Sequence, residues 1–370
     1  MADSSAWLTI RAEVEMKRGS PVGLYGLADN LERVPGLGAP TTWGCGYPTA
    51  DEDEPRSFKA EPIELKPDMS AAGAFQVIAR ACIHHFRLNE RLLIASRSAA
   101  PLHQMRVAIR RLRSALSLFK PIATDEKYER LKRGLRDLSR TLGEARDLDI
   151  YIAHIAAAGA SENAGSSPFA LDLRERVQVE RARAYQRVVS TLQSKRFRQL
   201  MQSLVARIEA GPWCMQSALQ RQAVRDNTIK DFAVHALDRR WRKLKRGGRR
   251  LERLSPEERH FIRIDAKKLR YASEFFSSLM TDRKSRKRLR VLIAALELLQ
   301  VHLGDLNDIQ TQYEIAAKLA CVETAAARAA DTVRTAAGHR NEKNKRSAAL
   351  LRSASKAYSE LLDAEPFWKG

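Results

Sequence analysis

The sequence predicts an all-α body, residues 70–365, behind a short, partly β N-terminal segment, residues 1–69. Three observations carry this. Apolar residues recur at helical spacing through nearly all of 70–365, and few runs alternate with period two. The prolines and glycines that punctuate the first segment (Pro21, Gly36, Pro40, Gly44, Pro48, Pro55, Pro62 and Pro67 among them) thin out beyond it, where Ala, Leu and Arg dominate. With 370 residues, 44% of them hydrophobic, the chain has enough apolar surface for a sizeable core.

The elements follow in order. Ser70 is placed to cap a helix over 70–96, and Pro101 stands in the first turn of the next, which runs to Lys120. Further helices are expected over 125–142 and 147–157, then, after the Gly/Ser loop 159–167, over 171–209 and 215–246. Ser255, Pro256, Glu257 and Glu258 read as a cap, a first-turn proline and first-turn acids before a helix to Leu279. Stretches 286–301, 306–337 and 344–362 complete the body.

Charge divides the chain at the same place. Residues 1–69 hold 7 basic and 12 acidic side chains, yet the whole chain has a net charge of +21, so the body carries +26. Such a body attracts anions. No apolar run approaches the roughly eighteen residues of a membrane span, the longest being 291–296. No secretory signal is expected from the N-terminus. Cys45, Cys82, Cys214 and Cys321 are too widely spaced for a zinc knuckle or a redox pair, so a reducing, cytoplasmic setting is expected.

The body contains an internal repeat. His103, Arg106, Arg110, Arg111, Leu112 and Arg113 align without a gap on His260, Arg263, Lys267, Lys268, Leu269 and Arg270, and the match continues through Phe119 and Phe276. Further on, Leu142, Gly143, Arg146 and Asp147 echo Leu303, Gly304, Asn307 and Asp308. Gly211 and Pro212 lie between the copies and mark a boundary, giving repeat one as 70–210 and repeat two as 213–365, each about four helices.

At about 100° per residue, His103, Arg106, Arg110 and Arg113 share one helix face, with Met105, Ile109, Leu112, Leu116 and Phe119 opposite. His260, Arg263, Lys267 and Arg270 do the same against Ile262, Ala266, Leu269 and Phe276. Arg111 and Lys268 flank these stripes and could serve either surface. A basic helix face is ordinarily just solvated. Here the like charges at i+3 and i+4 repel without alternating acids, and the arrangement occurs twice. Dense basic runs at 239–253 and 283–290 reinforce it. A polyanion would relieve the repulsion.

At these residues the chain resembles the CHAD family. The matching elements are 103–113 with Phe119, Leu142 and Gly143 with Arg146, Asp147, Leu148 and Asp149, His260 with 267–271, and Leu303 and Gly304 with Asn307 and Asp308. The resemblance implies two pseudo-symmetric four-helix bundles whose basic helices line a shared surface or pore. It also implies binding of inorganic polyphosphate and, in some members, a place at polyphosphate granules. Carried onto this chain, it assigns phosphate contacts to His103, Arg106, Arg110, Arg113, His260, Arg263, Lys267 and Arg270, flanked by Arg111 and Lys268. Lys132, Arg136, Arg140 and Arg146 join them from the following helix and turn. The first segment, through Glu13, Glu15, Lys17, Gly19, Leu24, Leu27, Ala28 and Leu31, resembles the carboxyl half of a CYTH domain. Only about 65 residues of it remain, and a triphosphate tunnel cannot close without its other strands. The segment reads as a truncated remnant or docking piece.

Three function classes compete. A noncatalytic polyphosphate-binding module needs repeated cations along a groove, with arginine forks and lysine point charges, and binds in a salt-dependent way. Its two histidines would donate more strongly once protonated below about pH 6.5. A nonspecific nucleic-acid-binding protein fits the net charge. Aromatics are only 6% and fall at apolar positions such as Phe119, Phe275 and Phe276, which argues against base stacking. No helix-turn-helix, zinc-finger or RNP signature appears. An enzyme built on metal would draw on His84, His85, His103, His235, His260, His302 or His339, but no HxxxH or HExxH spacing occurs. Asp147 and Asp149 resemble a carboxylate pair, though a capping or charge-pairing role near a helix start is the simpler reading, and Asn307 and Asp308 read the same way. The expectation is therefore a polyphosphate binder with no catalytic residue, metal or organic cofactor and no membrane partner; the sequence leaves its oligomeric state open.

Overall fold

The local signals that start and stop helices in this chain are met by hydrogen bonds where they can be seen. The computed structural model describes residues 57–124, 127–159, 168–210, 228–320 and 329–369. Ser70 Oγ accepts the Gly73 N–H at 3.1 Å and opens α1 (Ala71–Ser96). Helix α2 (Ala99–Leu118) carries Pro101 in its first turn, and the short α3 (Lys120–Ala123) follows. The predicted cap at Ser255 is a full capping box: its hydroxyl accepts the Glu258 N–H at 3.2 Å while the Glu258 carboxylate accepts the Ser255 N–H at 2.7 Å. It opens α8 (Pro256–Phe275), after which a 3-10 turn (Ser277–Leu279) completes the predicted span. Between them lie α4 (Tyr128–Gly159), α5 (Pro168–Gln193), α6 (Lys195–Ala210) and α7 (Ile229–Gly247). Helices α9 (Arg283–Ala320) and α10 (Ala329–Asp363) close the body.

Three predicted breaks do not occur. Helix α10 continues through 338–343. Helix α4 runs straight through Gly143, and α9 through Gly304, where the Leu-Gly pairs were read as turns. A lone helical glycine costs only about 1 kcal/mol relative to alanine, which tertiary packing outweighs. The reverse occurs at Ser194. The expected single helix over 171–209 divides there, because the Ser194 hydroxyl donates to the Thr191 carbonyl at 2.7 Å and accepts the Phe197 N–H at 3.1 Å.

No strand occurs among the described residues; a single antiparallel bridge joins Ser70 and Thr228, the N-caps of α1 and α7. Of the N-terminal segment, residues 1–56 and with them the CYTH-like motif lie outside the described residues, as do Gly211 and Pro212. Residues 57–69 run over the body without forming a strand. Ile63 and Leu65 are buried, the Leu65 N–H donates to Ser278 Oγ at 2.9 Å, and the Phe58 carbonyl accepts Asn89 Nδ2 at 2.9 Å.

Packing follows chain order in both copies. Helix α1 packs on α2, α2 on α4 and α4 on α5; likewise α7 packs on α8, α8 on α9 and α9 on α10. The copies meet where α2 touches α8 and α4 touches α9, so α2, α4, α9 and α8 form a closed circuit of contacts. The buried apolar residues of both copies make one continuous core. Its hinge point is aromatic: Phe119 stacks on Phe232 at 4.7 Å and meets Phe75 at 5.3 Å and Phe276 edge-on at 6.3 Å. Trp241 belongs to this core too, edge-to-face with Trp368 at 6.4 Å.

A core shared this way predicts joint unfolding. Phe119→Ala removes the ring linking the copies and should lower stability by about 3–5 kcal/mol. Urea unfolding followed by far-UV circular dichroism should remain one transition; two separated transitions would show that the copies unfold independently.

Candidate anion-binding site

The two basic stripes face each other where α2 crosses α8. Arg106 and Arg110 of α2 lie within electrostatic range of Arg263 and Lys267 of α8, and Arg146 of α4 closes in beside His103 and Arg106. These six side chains, His103, Arg106, Arg110, Arg146, Arg263 and Lys267, come together half-buried between helices of both copies.

The helix glycines explain how. Arg106 lies across α4 at Gly143, where an added Cβ would stand 2.9 Å from its Nη1, and that nitrogen donates to the Leu142 carbonyl at 3.2 Å. One turn on, Asp147 faces the same guanidinium at 3.8 Å. The second copy is looser: Arg263 lies near Gly304, where an added Cβ would stand 3.7 Å from its Nη2 in ordinary contact, and Asp308 supplies the opposing charge. Glycine and aspartate at i and i+4 share a helix face. Gly143 therefore clears space for a guanidinium, and neither Gly143 nor Gly304 marks a turn. Asp147 charge-pairs in mid-helix and caps nothing, which corrects half of the simpler reading. Asp149 points elsewhere, accepting from Arg181 at 2.7 Å and Tyr185 at 2.9 Å, so the two aspartates are not a pair.

Acids do not neutralise the cluster. Burial holds the Arg106 and Arg263 guanidiniums below their ordinary values despite the opposing charges of Asp147 and Asp308, and Arg110 adds to the depression of both. The Nε atoms of Arg110 and Arg263 are buried without a partner. Lys267 is affected most: burial, then Arg263, Arg110 and Arg106, lower its ammonium to about 7. His103 falls to about 4 through burial and the charges of Arg146, Arg110 and Arg106. Its expected protonation below pH 6.5 is corrected accordingly: in the free protein this imidazole is neutral well below that pH.

The remaining predicted residues divide. Arg113 faces Arg136, and burial followed by that charge lowers its guanidinium. Lys268 turns to a cleft beside α7, with Asp265 at 3.9 Å. Arg111 and Arg270 are spent on structure: Arg111 donates to Glu274 at 2.6 Å over the Phe275 ring, and Arg270 binds Glu274 and Glu297, each at 3.0 Å. Lys132 pairs with Glu129 at 3.2 Å and Arg140 with Asp137 at 3.7 Å, both on the outer surface of α4. His260 is exposed, its ring against Phe261 at 6.4 Å. In register with Arg146, which stands beside His103, the second copy has Asn307. Sequence reasoning missed the counter-acids and the clearance at Gly143, although the Gly–Asp pair at i, i+4 recurs in both copies.

An all-helical chain with two copies of a basic motif meeting at one crossing defines the class, and sequence comparison supplies the family. A model of the CHAD domain matches residues 77–317, and the chain belongs to this family. Among solved structures it is similar to the CHAD domain of the plant Ricinus communis, at 28% identity and a TM-score of 0.67, covering 82% of this chain and 96% of that one. It also matches PptA from Streptomyces chartreusis at 16% identity and a TM-score of 0.49, covering 81% and 98%. Comparison with curated proteins finds no match. No helix among the described residues is long and apolar enough to cross a membrane.

The crowding of Lys267 predicts a signed effect. Its folded value near 7 lies below the ordinary 10.5, so its cost to stability is full below pH 7, fades between 7 and 10.5, and vanishes above. Lys267→Met should therefore stabilise the free protein at pH 6–7, on the order of 1–3 kcal/mol after solvent screening. Thermal melts across pH 6–10.5 check this; a gain that grew with pH would refute it.

Proposed function

We propose that this protein binds inorganic polyphosphate without turning it over, through the cluster where α2 and α8 cross. The observation supporting this most directly is the set of desolvated, incompletely neutralised cations from both copies: Arg106, Arg110, Arg263 and Lys267, with two buried guanidinium nitrogens unpartnered. Buried donors without acceptors are costly, and phosphate oxygens supply acceptors and negative charge together. A linear polyphosphate repeats that charge along its length with no bases to accommodate.

Nucleic acid offers the same phosphates, but its bases need stacking partners. Phe119, Phe275 and Phe276 are fully buried in the core, while Phe261 stands 63% exposed beside His260. The proposal gives the protein no catalytic residue. Asp147 faces a guanidinium and Asp149 is bonded to Arg181 and Tyr185, which leaves neither poised to activate a water. The CHAD resemblance extends the proposal to targeting or scaffolding at polyphosphate granules.

A competition titration of long-chain polyphosphate against duplex DNA and triphosphate at fixed ionic strength, with product analysis, tests the reading. Polyphosphate should win, remain intact and weaken steeply with salt. Arg110→Gln and Lys267→Gln should each cost about tenfold, roughly 1.4 kcal/mol, whereas Arg140→Gln and Phe261→Ala should change little. Binding should tighten as pH falls from 9 to 6, with proton uptake by Lys267. Stronger binding to DNA, or phosphate release, would overturn the proposal.

Position should matter as much as charge. Gly143→Ala favours helix by about 1 kcal/mol but displaces the Arg106 guanidinium, so affinity should drop while thermal stability holds or rises. In cells, a fluorescent fusion should form foci only when polyphosphate is made; a diffuse signal with and without it would count against granule targeting.

A further inference from the structure

A cleft of about 620 Å³ opens where the C-terminal end of α2 and the short α3 face α7 and α8. Its lining brings together Lys120, Arg239, Arg240, Lys243, Arg246 and Lys268 with one carboxylate, Asp265. That carboxylate is shared by Lys243 at 3.0 Å and Lys268 at 3.9 Å. Among the described residues no ion pair reaches Lys120, Arg239, Arg240 or Arg246, and the half-buried Arg240 keeps a buried Nε without a partner. Burial and the charge of Arg239 pull the Arg240 guanidinium down to about 10. A cavity of this volume lies within the usual range for small ligands, and its six cations call for an anion.

The cleft continues the central stripe. Along α2 the face of Arg106, Arg110 and Arg113 next presents Ser117, which lines the cleft, about 16 Å beyond Arg106 along the axis. Arg113 bridges the interval, adding its charge to that of Lys243 and Arg240 around Lys268. The second copy offers no equivalent. In register with Ser117 stands Glu274, and in register with Arg136 stands Glu297; both bind Arg270 and close the basic path at that end of α8.

We infer that the cleft is a second anion-binding site, continuous with the central cluster along α2, so that one long polyphosphate occupies both while a short phosphate fills only one at a time. This rests on the central cluster being a polyphosphate site. A linear polymer, unlike triphosphate, carries charge across the whole interval.

The test uses the full chain and a double variant, Arg239→Gln with Arg246→Gln, two exposed residues outside any ion pair among the described residues. Affinity for long-chain polyphosphate should fall about tenfold and the salt slope should shrink by about two. Triphosphate should titrate two sites on the parent protein and one on the variant. Lys195→Gln with Arg198→Gln, both exposed on α6, removes the same charge elsewhere and should change affinity less than twofold. If the cleft variant matches this control, or triphosphate stoichiometry stays unchanged, the second site is refuted while the central one stands. If the parent protein ignores long-chain polyphosphate, the central reading fails and takes this one with it.

Discussion

The centre of this molecule depends on guanidiniums held out of water against the backbone of a neighbouring helix. Arg106 lies against α4 where Gly143 leaves room for its guanidinium, and Arg263 approaches α9 at Gly304. Each gains a carboxylate one turn further on, Asp147 or Asp308. Removing an ion from water costs several kcal/mol unless its partners are good, and a single aspartate at 3.8 Å is a partial answer. Much of the rest of the architecture, including the unbroken helices α4 and α9 and the α2–α8 crossing, serves to hold these groups where solvent cannot fully reach them.

The acids sort the arginines into two kinds. Where a carboxylate comes within 3.0 Å, as Glu274 does for Arg111 and Arg270, the charge is neutralised, and the Arg111–Glu274 pair ties α2 to α8. Where the acid stands farther off or is lacking, as around Arg110 and Lys267, the positive field survives and depresses its own members. Surface pairs such as Lys132–Glu129 contribute little either way. A site built to stay charged is therefore distinguishable from basic side chains employed as struts, and the distinction lies in partner distance, since residue type is the same in both.

Helix class, most helix starts and the pairing of the two basic stripes were legible in the sequence, because caps and helical period are local signals and an ungapped repeat reveals shared roles. The capping box at Ser255 and the interior placement of Phe119 and Phe276 follow directly from such patterns. The failures share a cause. Gly143 and Gly304 look like stops when only their own helix is considered, and the purpose of Gly143 appears once Arg106 from another helix lies against it. Arg111 and Arg270 match the binding motif by type and spacing, yet Glu274 claims both, a pairing across 163 residues for the first that no periodicity exposes. His103 and His260 occupy equal positions in the repeat, but the first is half-buried among arginines and the second exposed; Arg146 on one side answers to Asn307 on the other.

That last difference belongs to a wider asymmetry. At the same offset as Leu142 and Leu303, Arg136 corresponds to Glu297; at the offset of the basic stripes, Ser117 corresponds to Glu274. In the first copy Arg113 thus faces another cation, and in the second Arg270 faces two carboxylates. A perfectly repeated pair of ridges would spread positive potential evenly about the crossing and give a linear ligand no preferred way to leave it. Two glutamates on one copy close that side, while the other side stays open toward the Arg239–Lys243 cleft. The duplicated motif gathers the charge at the centre, and the acids that break the duplication give it a direction.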